Sequence, residues 1–325
     1  MNKNNSIKLS IVIPLYNLQE YITDCLSSIY IQNVDERTFE VIVVDDGSKD
    51  ESVACVKPFL DKYNNIRLIK QENQGVSVAR NNGLRHVSGR YVTFLDGDDA
   101  LQPYSLSKAI DYLNQTSSDI IYLRSKLNSV NSRDLHTWFN YFKKDTKYSA
   151  SDILKKGYNN CGSVTAGIYN ISFLKDNNIQ FAPGVANSED AIFNYLLYSY
   201  NPTIYFADIV FYSVTIRDGS AHHNYTLQRA EGFKKNFCYL NKIIQRTDCS
   251  YRKAILDLAY YQTISQASNM CVKCELKDAN KIKKVIGWDF PHKLKYKYFT
   301  IKQIWKVFMI NNCFSLYINL IQKRH

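Results

Sequence analysis

Short apolar runs in the first hundred residues, separated by stretches of helical period, restrict this chain to very few folds. Leu9-Ser-Ile-Val-Ile-Pro14, Phe39-Glu-Val-Ile-Val-Val-Asp45, Ile66–Ile69 and Tyr91–Leu95 are too short for helices and read as buried strands. Between the first two, Gln19–Ile31 puts Tyr21, Ile22, Cys25, Leu26 and Ile29 on one helical face. Ser48, with Glu51 three residues on, predicts a capping box for the helix after the second strand. Val76–His86 predicts a third helix. Strands that alternate with helices require right-handed crossovers and a mainly parallel sheet covered on both faces.

The alternation loosens beyond Pro103. A helix is expected near Tyr104–Asn114, a strand at Ile120–Leu123, loops over the sheet edge from Asn128 to Tyr158, and a helix at Ile192–Tyr200. Ile204–Thr215 reads as extended, hairpin-type structure, and from Tyr225 the pattern is mostly helical. The expected organisation is a catalytic domain over residues 1–220 and a basic, mostly helical region over 221–325.

The strand Tyr91–Leu95 ends abruptly in Asp96-Gly-Asp98-Asp99. In an open parallel sheet, ligands bind at the carboxyl ends of the strands. Clustered carboxylates repel one another unless a cation or a donor network compensates. Oxygen ligands at that density suit Mg²⁺ or Mn²⁺, which can hold a diphosphate in turn. A solvated Asp-Gly turn is the other reading of the same residues. Two more strand ends converge with this one, Pro14-Leu-Tyr16-Asn17 and Asp45-Asp46-Gly47-Ser48. An aromatic ring there can stack on a base, and a carboxylate can accept the imide N–H of uracil or thymine. Glu72-Asn-Gln-Gly75-Val-Ser-Val-Ala-Arg80-Asn81 adds a glycine before a helix and a cation one turn in, suited to a nucleotide or its phosphates. Neither Gly-x-Gly-x-x-Gly nor a Walker Gly-Lys-Ser/Thr motif is present, which argues against dinucleotide oxidoreductases and P-loop enzymes.

Composition excludes other classes. With 45% hydrophobic residues, 12 Gly and 6 Pro in 325, the chain is neither disordered nor fibrous. Eight cysteines in so long a chain are not a disulfide framework, and Cys271-Val-Lys-Cys274 lacks the second ligand pair that zinc requires. Leu9–Pro14 is too short for a secretory core, and no stretch of ~20 apolar residues exists to span a bilayer, so a cytoplasmic protein is expected. Charge is unevenly placed. Residues 1–215 carry 21 Lys and Arg against 23 Asp and Glu; residues 216–325 carry 20 against 7. No acid follows Asp289, which points the C-terminal third at an anionic surface. There Ile301, Ile304, Trp305, Phe308, Cys313, Leu316, Tyr317 and Leu320 recur at helical spacing. They predict either a helix packed on its own domain or an interfacial helix holding the enzyme on the inner face of the cell membrane. Nothing accompanying the charge resembles a nucleic-acid recognition fold, so nucleic acid is not an expected partner.

Ser10-Ile-Val-Ile-Pro-Leu-Tyr-Asn, Val43-Val-Asp-Asp-Gly-Ser, Asn73-Gln-Gly-Val-Ser-Val-Ala-Arg-Asn and Phe94-Leu-Asp-Gly-Asp-Asp, in that order, resemble glycosyltransferase family 2. A weaker likeness runs through Ile179-Gln-Phe-Ala-Pro-Gly and Ser188-Glu-Asp-Ala-Ile-Phe to about residue 220; the C-terminal third lies outside it. The resemblance implies a GT-A fold, an α/β Rossmann-like sheet flanked by helices, and an inverting, metal-dependent transfer using Mn²⁺ or Mg²⁺. It implies that Pro14 and Tyr16 shape the base pocket, that Asp46 holds the base imide, and that Arg80 contacts the nucleotide. Asp96 would lie near the ribose, Asp98 would coordinate the metal, and Asp190 would be the catalytic base, with Glu189 as support or acceptor contact. Ser188-Glu-Asp reads equally as an ordinary helix start, where acids favour the dipole. Arg217-Asp-Gly-Ser220 and His222-His223 read either as phosphate or metal contacts or, at least equally, as surface polar residues.

The expected function is transfer of a hexose or hexosamine from a UDP-sugar to a glycan or undecaprenyl-linked acceptor in capsule, O-antigen or exopolysaccharide synthesis. A sugar nucleotidyltransferase is the rival enzyme. It would carry a Gly-rich loop with Arg and Lys after the first strand, where this chain has Tyr16-Asn17-Leu18. A non-catalytic nucleotide-sugar-binding scaffold is disfavoured by the presence of Asp98 and Asp190.

Overall fold

The computed structural model describes residues 7–127, 142–143, 146–155, 163–185, 188–216, 227–245, 251–272, 276–286, 301–314 and 317. The chain packs as two units. The first comprises Met1–Ser149, Gly162–Gly184 and Pro202–Arg217; the second comprises Ala150–Cys161, Val185–Asn201 and Asp218–His325. The expected boundary at residue 220, Arg217–Ser220, His222-His223, Cys274 and most of the loops expected over 128–158 lie outside the described residues.

In the first unit, β1 (Leu9–Leu15), α1 (Ile22–Tyr30), β2 (Phe39–Asp45), α2 (Ser52–Lys62), β3 (Ile66–Lys70), α3 (Val76–Arg85) and β4 (Tyr91–Phe94) follow the predicted alternation. Every residue of β2 is buried, and β1 is buried except for half-exposed Pro14, as a strand covered on both faces must be. Strands β1, β2, β3 and β4 pair in parallel. After β5 (Ala100–Leu101), α4 (Ser105–Gln115) and β6 (Ile120–Leu127), the chain adds β7 (Lys147–Ser149). In the second unit α5 (Ala150–Lys155) follows. The first unit then resumes with β8 (Gly167–Asn170) and α6 (Ile171–Asp176). The second unit takes α7 (Glu189–Ser199), and the first closes with β9 (Thr203–Val214). The sheet order is β3-β2-β1-β4-β8-β6-β9-β5, with β7 also on β9. Its first half is parallel. Its second half is mixed, because β8 runs antiparallel to both β4 and β6.

Three local expectations are corrected. Ile204–Thr215 is one strand rather than a hairpin. Around Ala207-Asp208 the strand makes an irregularity against β6, where exposed Asp208 pairs with Arg124 at 2.5 Å. Strand β9 pairs with β6 in parallel and, at its two ends, with β7 and β5 antiparallel, rather than with a return strand of its own. Ser48 and Glu51 make no capping box. Glu51 sits at the N-cap of α2 without a side-chain bond, and Asp50 accepts from the Ser52 N–H at 3.0 Å and the Ser52 hydroxyl at 2.5 Å. Helix α7 begins at Glu189, three residues before the apolar period starts, so both acids lie in its first turn.

The second unit is completed by α8 (Leu227–Ile244), α9 (Arg252–Val272), α10 (Leu276–Ile286) and α11 (Ile301–Asn312). No described helix is long and apolar enough to cross a membrane. On α11, Val307, Met309 and Ile310 are buried while Trp305 and Phe308 are 52% and 56% exposed, so the helix packs by one stripe and presents another.

Candidate active site

The ladder between β1 and β4 ends at Val12 opposite Phe94, whereas β1 runs on to Leu15 beside β2. Past the end of β4 the Asp96–Asp99 turn therefore lies beside the last residues of β1. Val12 faces β4, its carbonyl accepting the Leu95 N–H at 3.1 Å, and Pro14 two residues on faces the same way. The N–H that proline lacks thus falls beyond the ladder and costs no strand bond. Tyr16 follows, 43% exposed, with its ring available to a ligand.

The loops after β1 and β2 are bonded to each other. Asn17, in a left-handed conformation at φ 51°, donates its N–H to the Ser48 hydroxyl at 3.1 Å and accepts from the Lys49 N–H at 2.8 Å. The Leu18 N–H reaches the Ser52 hydroxyl at 2.7 Å. Asp46 is buried and serves a third loop. One carboxylate oxygen accepts from the Gln71 side-chain amide and the Gln74 N–H, the other from the Gly75 N–H, each at 2.8 Å. Gly75 caps α3 at φ 89°, a conformation that a side chain would strain. Of the roughly four lone-pair sites on a carboxylate, Asp46 thus fills three.

Arg80, on the second turn of α3, is buried, and its guanidinium donates to Asp96 at 2.8 Å and lies 5.3 Å from the Phe181 ring centre. In this structure it fixes Asp96, which is 38% exposed. The three carboxylates of the β4 turn diverge. Asp99 turns inward and accepts the Thr215 N–H at 3.0 Å, while Asp96 and Asp98 stay half-exposed. Gly97 between them rests on the β1–α1 segment. A Cβ there would come within 2.9 Å of Leu18 Cδ1 and 3.4 Å of the Pro14 carbonyl oxygen.

Beneath this turn sits Cys25, buried on the apolar face of α1. Its thiol lies 3.7 Å from the Asp96 carbonyl oxygen. Burial, followed by the charges of Asp99, Asp98 and Asp96, pushes the thiol well above its ordinary pKa. Sequence gave no sign of Cys25 beyond its helical face. Nor did it show Phe181, whose backbone Asn81 clamps from both sides at 2.8 Å across one hundred residues of chain.

Pro14, Tyr16, Asp46, Arg80, Asp96 and Asp98 are thus gathered at the carboxyl edge of β1, β2 and β4. Glu189 and Asp190 open α7 in the second unit, both half-buried, with the Glu189 carboxylate accepting the Ser188 N–H at 3.1 Å. Among the described residues, no group of three His, Cys, Asp or Glu side chains forms a metal cage.

The family model described as Glycosyl transferase family 2 matches residues 10–169. The poly(ribitol-phosphate) beta-N-acetylglucosaminyltransferase TarS of Staphylococcus aureus is 29% identical over 216 residues, covering 66% of this chain and 36% of that protein. A poly(ribitol-phosphate) beta-glucosyltransferase of Bacillus spizizenii is 30% identical over 220 residues, covering 66% and 33%. The matched stretch therefore spans only 36% and 33% of these relatives' length. Among solved structures, S. aureus TarS 1–349 in complex with UDP-GlcNAc aligns with a TM-score of 0.74 at 23% identity, covering 97% of this chain and 88% of that chain. A mannosyltransferase from Pyrobaculum calidifontis in complex with GDP-Man and Mn²⁺ aligns at 0.59 and 16% identity, covering 97% and 86%. Both likenesses are of fold: a mixed α/β sheet of GT-A type flanked by helices.

Proposed function

Because this chain belongs, through its residues 10–169, to glycosyl transferase family 2, we propose that it transfers a hexose or hexosamine from a UDP-sugar to a hydroxyl of a bacterial surface glycan. The observation that carries this reading is the meeting of an exposed ring, a buried carboxylate and a carboxylate pair at one edge of the sheet. Tyr16 stacks on the uracil, with Pro14 shaping the pocket wall, and Asp46 accepts the imide N–H with its remaining lone pair. Arg80 holds Asp96 toward the ribose. Asp190 takes the proton of the acceptor hydroxyl as it attacks the anomeric carbon opposite the leaving group, so configuration inverts. Glu189 supports that turn through the Ser188 N–H.

The β4 turn fits a hard cation. Asp96 and Asp98 are half-exposed carboxylates either side of Gly97, and carboxylate oxygens are the donors such a cation takes. Asp98 would hold Mn²⁺ or Mg²⁺, which when bound supplies charge to the departing diphosphate.

The names of the relatives direct the acceptor toward a polyol-phosphate polymer. Capsule, O-antigen and exopolysaccharide glycans remain acceptors of the same chemical class. A basic C-terminal third suits a polyanion of this kind. The test is hydrolysis of a panel of nucleotide sugars by the purified protein with Mn²⁺. Release of UDP from a UDP-sugar is expected. Release of pyrophosphate from UTP and a sugar 1-phosphate would make the chain a nucleotidyltransferase, and donor binding without turnover would make it a scaffold.

The exposed Trp305 and Phe308, on a helix followed by bases without acids, also favour reversible attachment to an anionic membrane. Each base near such a surface contributes ~1 kcal/mol. Trp305→Ala with Phe308→Ala is expected to leave the protein folded and to lower its sedimentation with phosphatidylserine vesicles. Wild-type binding should weaken as salt rises, since screening acts over ~8 Å at physiological ionic strength. Vesicle binding that is unchanged in the double variant would remove these side chains from any membrane role.

A further inference from the structure

The residue before the acidic pair of α7 has an unusual backbone. Ser188 adopts φ 127° and ψ 17°. The other described non-glycine residues with positive φ, Asn17, Asn33, Tyr104, Asn178 and Asn201, all lie between 48° and 59°, inside the ordinary left-handed basin. Ser188 lies outside it, where a side chain is strained, and such strain persists only when surrounding structure over-determines it. Serine at a helix start normally turns its hydroxyl back onto its own helix. Here it makes no cap bond. Its hydroxyl donates instead to the Gln266 side-chain carbonyl on α9, at 3.3 Å.

Four residues earlier on the same face of α9, Gln262 accepts from the Tyr195 hydroxyl at 2.9 Å. Both bonds run between α7 and α9, inside the second unit. A cleft of about 20 Å³, room for about one water, lies among Ser188, Ile192, Tyr195, Phe237, Gln262 and Gln266 beside these bonds.

We propose that Gln266, through Ser188, is a positioning residue for the Glu189-Asp190 turn, so that the C-terminal helices take part in catalysis although they lie outside the family match. The inference rests on Asp190 being the base. Ser188 uses its hydroxyl to anchor the chain just before the acids, and the strained backbone aims the turn. A base displaced by a fraction of an ångström loses rate without losing donor affinity.

The experiment measures kcat and donor KM for transfer, together with melting temperature, in the full chain. Ser188→Ala and Gln266→Met each remove the bond, and each is expected to lower kcat by about tenfold with donor KM unchanged, as misplacement of a catalytic group does. Gln266→Glu keeps an acceptor at the same reach and should restore most of the lost kcat. Ser188→Gly relieves the backbone but lacks the hydroxyl, so it should melt higher than Ser188→Ala while staying as slow. Wild-type kcat in Ser188→Ala, or recovery of kcat in Ser188→Gly, overturns the proposal. If Gln266→Met fails to fold, the two Ser188 variants decide the matter. Asp190→Asn, assayed alongside, separates the two ideas. If Asp190→Asn is slow while Ser188→Ala and Gln266→Met are normal, the positioning role alone falls. If Asp190→Asn itself turns over normally, the base assignment falls and takes the positioning role with it.

Discussion

Asp98→Asn is expected to abolish metal-supported turnover and to leave the fold intact. The carboxylate is half-exposed, and it shares the β4 turn with Asp96 and Asp99. Removing one charge from such a cluster relieves repulsion within it. Melting should therefore be unchanged or slightly higher, while donor hydrolysis with Mn²⁺ falls to background. A neutral amide is a poor ligand for a hard cation compared with a carboxylate. The assay is UDP release, with circular dichroism to confirm folding. Turnover that persists in the variant, or wild-type activity indifferent to EDTA, would refute a metal role for Asp98.

Asp190→Asn is expected to reduce transfer to acceptor by ~10²–10⁴, the usual effect of losing a general base. Binding of UDP, measured by calorimetry, should hardly change, because the proposed nucleotide contacts come from the strand ends and α3. Asparagine retains the shape of the side chain but does not accept the proton. Weaker UDP binding with a proportionate loss of rate would place Asp190 among donor contacts or structural residues instead. The base would then have to be sought elsewhere.

The expected contacts of Asp46 and Arg80 show how far sequence reading reaches. Both residues were legible as candidates for a nucleotide site because they sit at a strand end and one turn into a helix. Their bonds were not legible. Asp46 spends three of its acceptor sites on the loop from Gln71 to Gly75, and Arg80 gives its guanidinium to Asp96. Which partner a polar side chain chooses depends on what the fold brings within ~3 Å, and spacing along the chain does not encode that.

The sequence by itself determined the alternation of strands and helices in the first hundred residues and the parallel pairing that follows from it. It also determined which strand ends carry ring and carboxylate. Each of these rests on local periodicity and on the one-sided chemistry of strand termini. The tertiary structure alone decided the rest. It inserted β8, a four-residue strand without a distinctive pattern, antiparallel between β4 and β6. It merged a presumed hairpin into the single strand β9, paired with β6, β7 and β5. It placed Cys25 under the carboxylate turn and bonded Ser188 to Gln266, seventy-eight residues away in sequence. Contacts of that kind are fixed by helix and sheet packing over long chain separations, where the local pattern of residues has no bearing on which side chains meet.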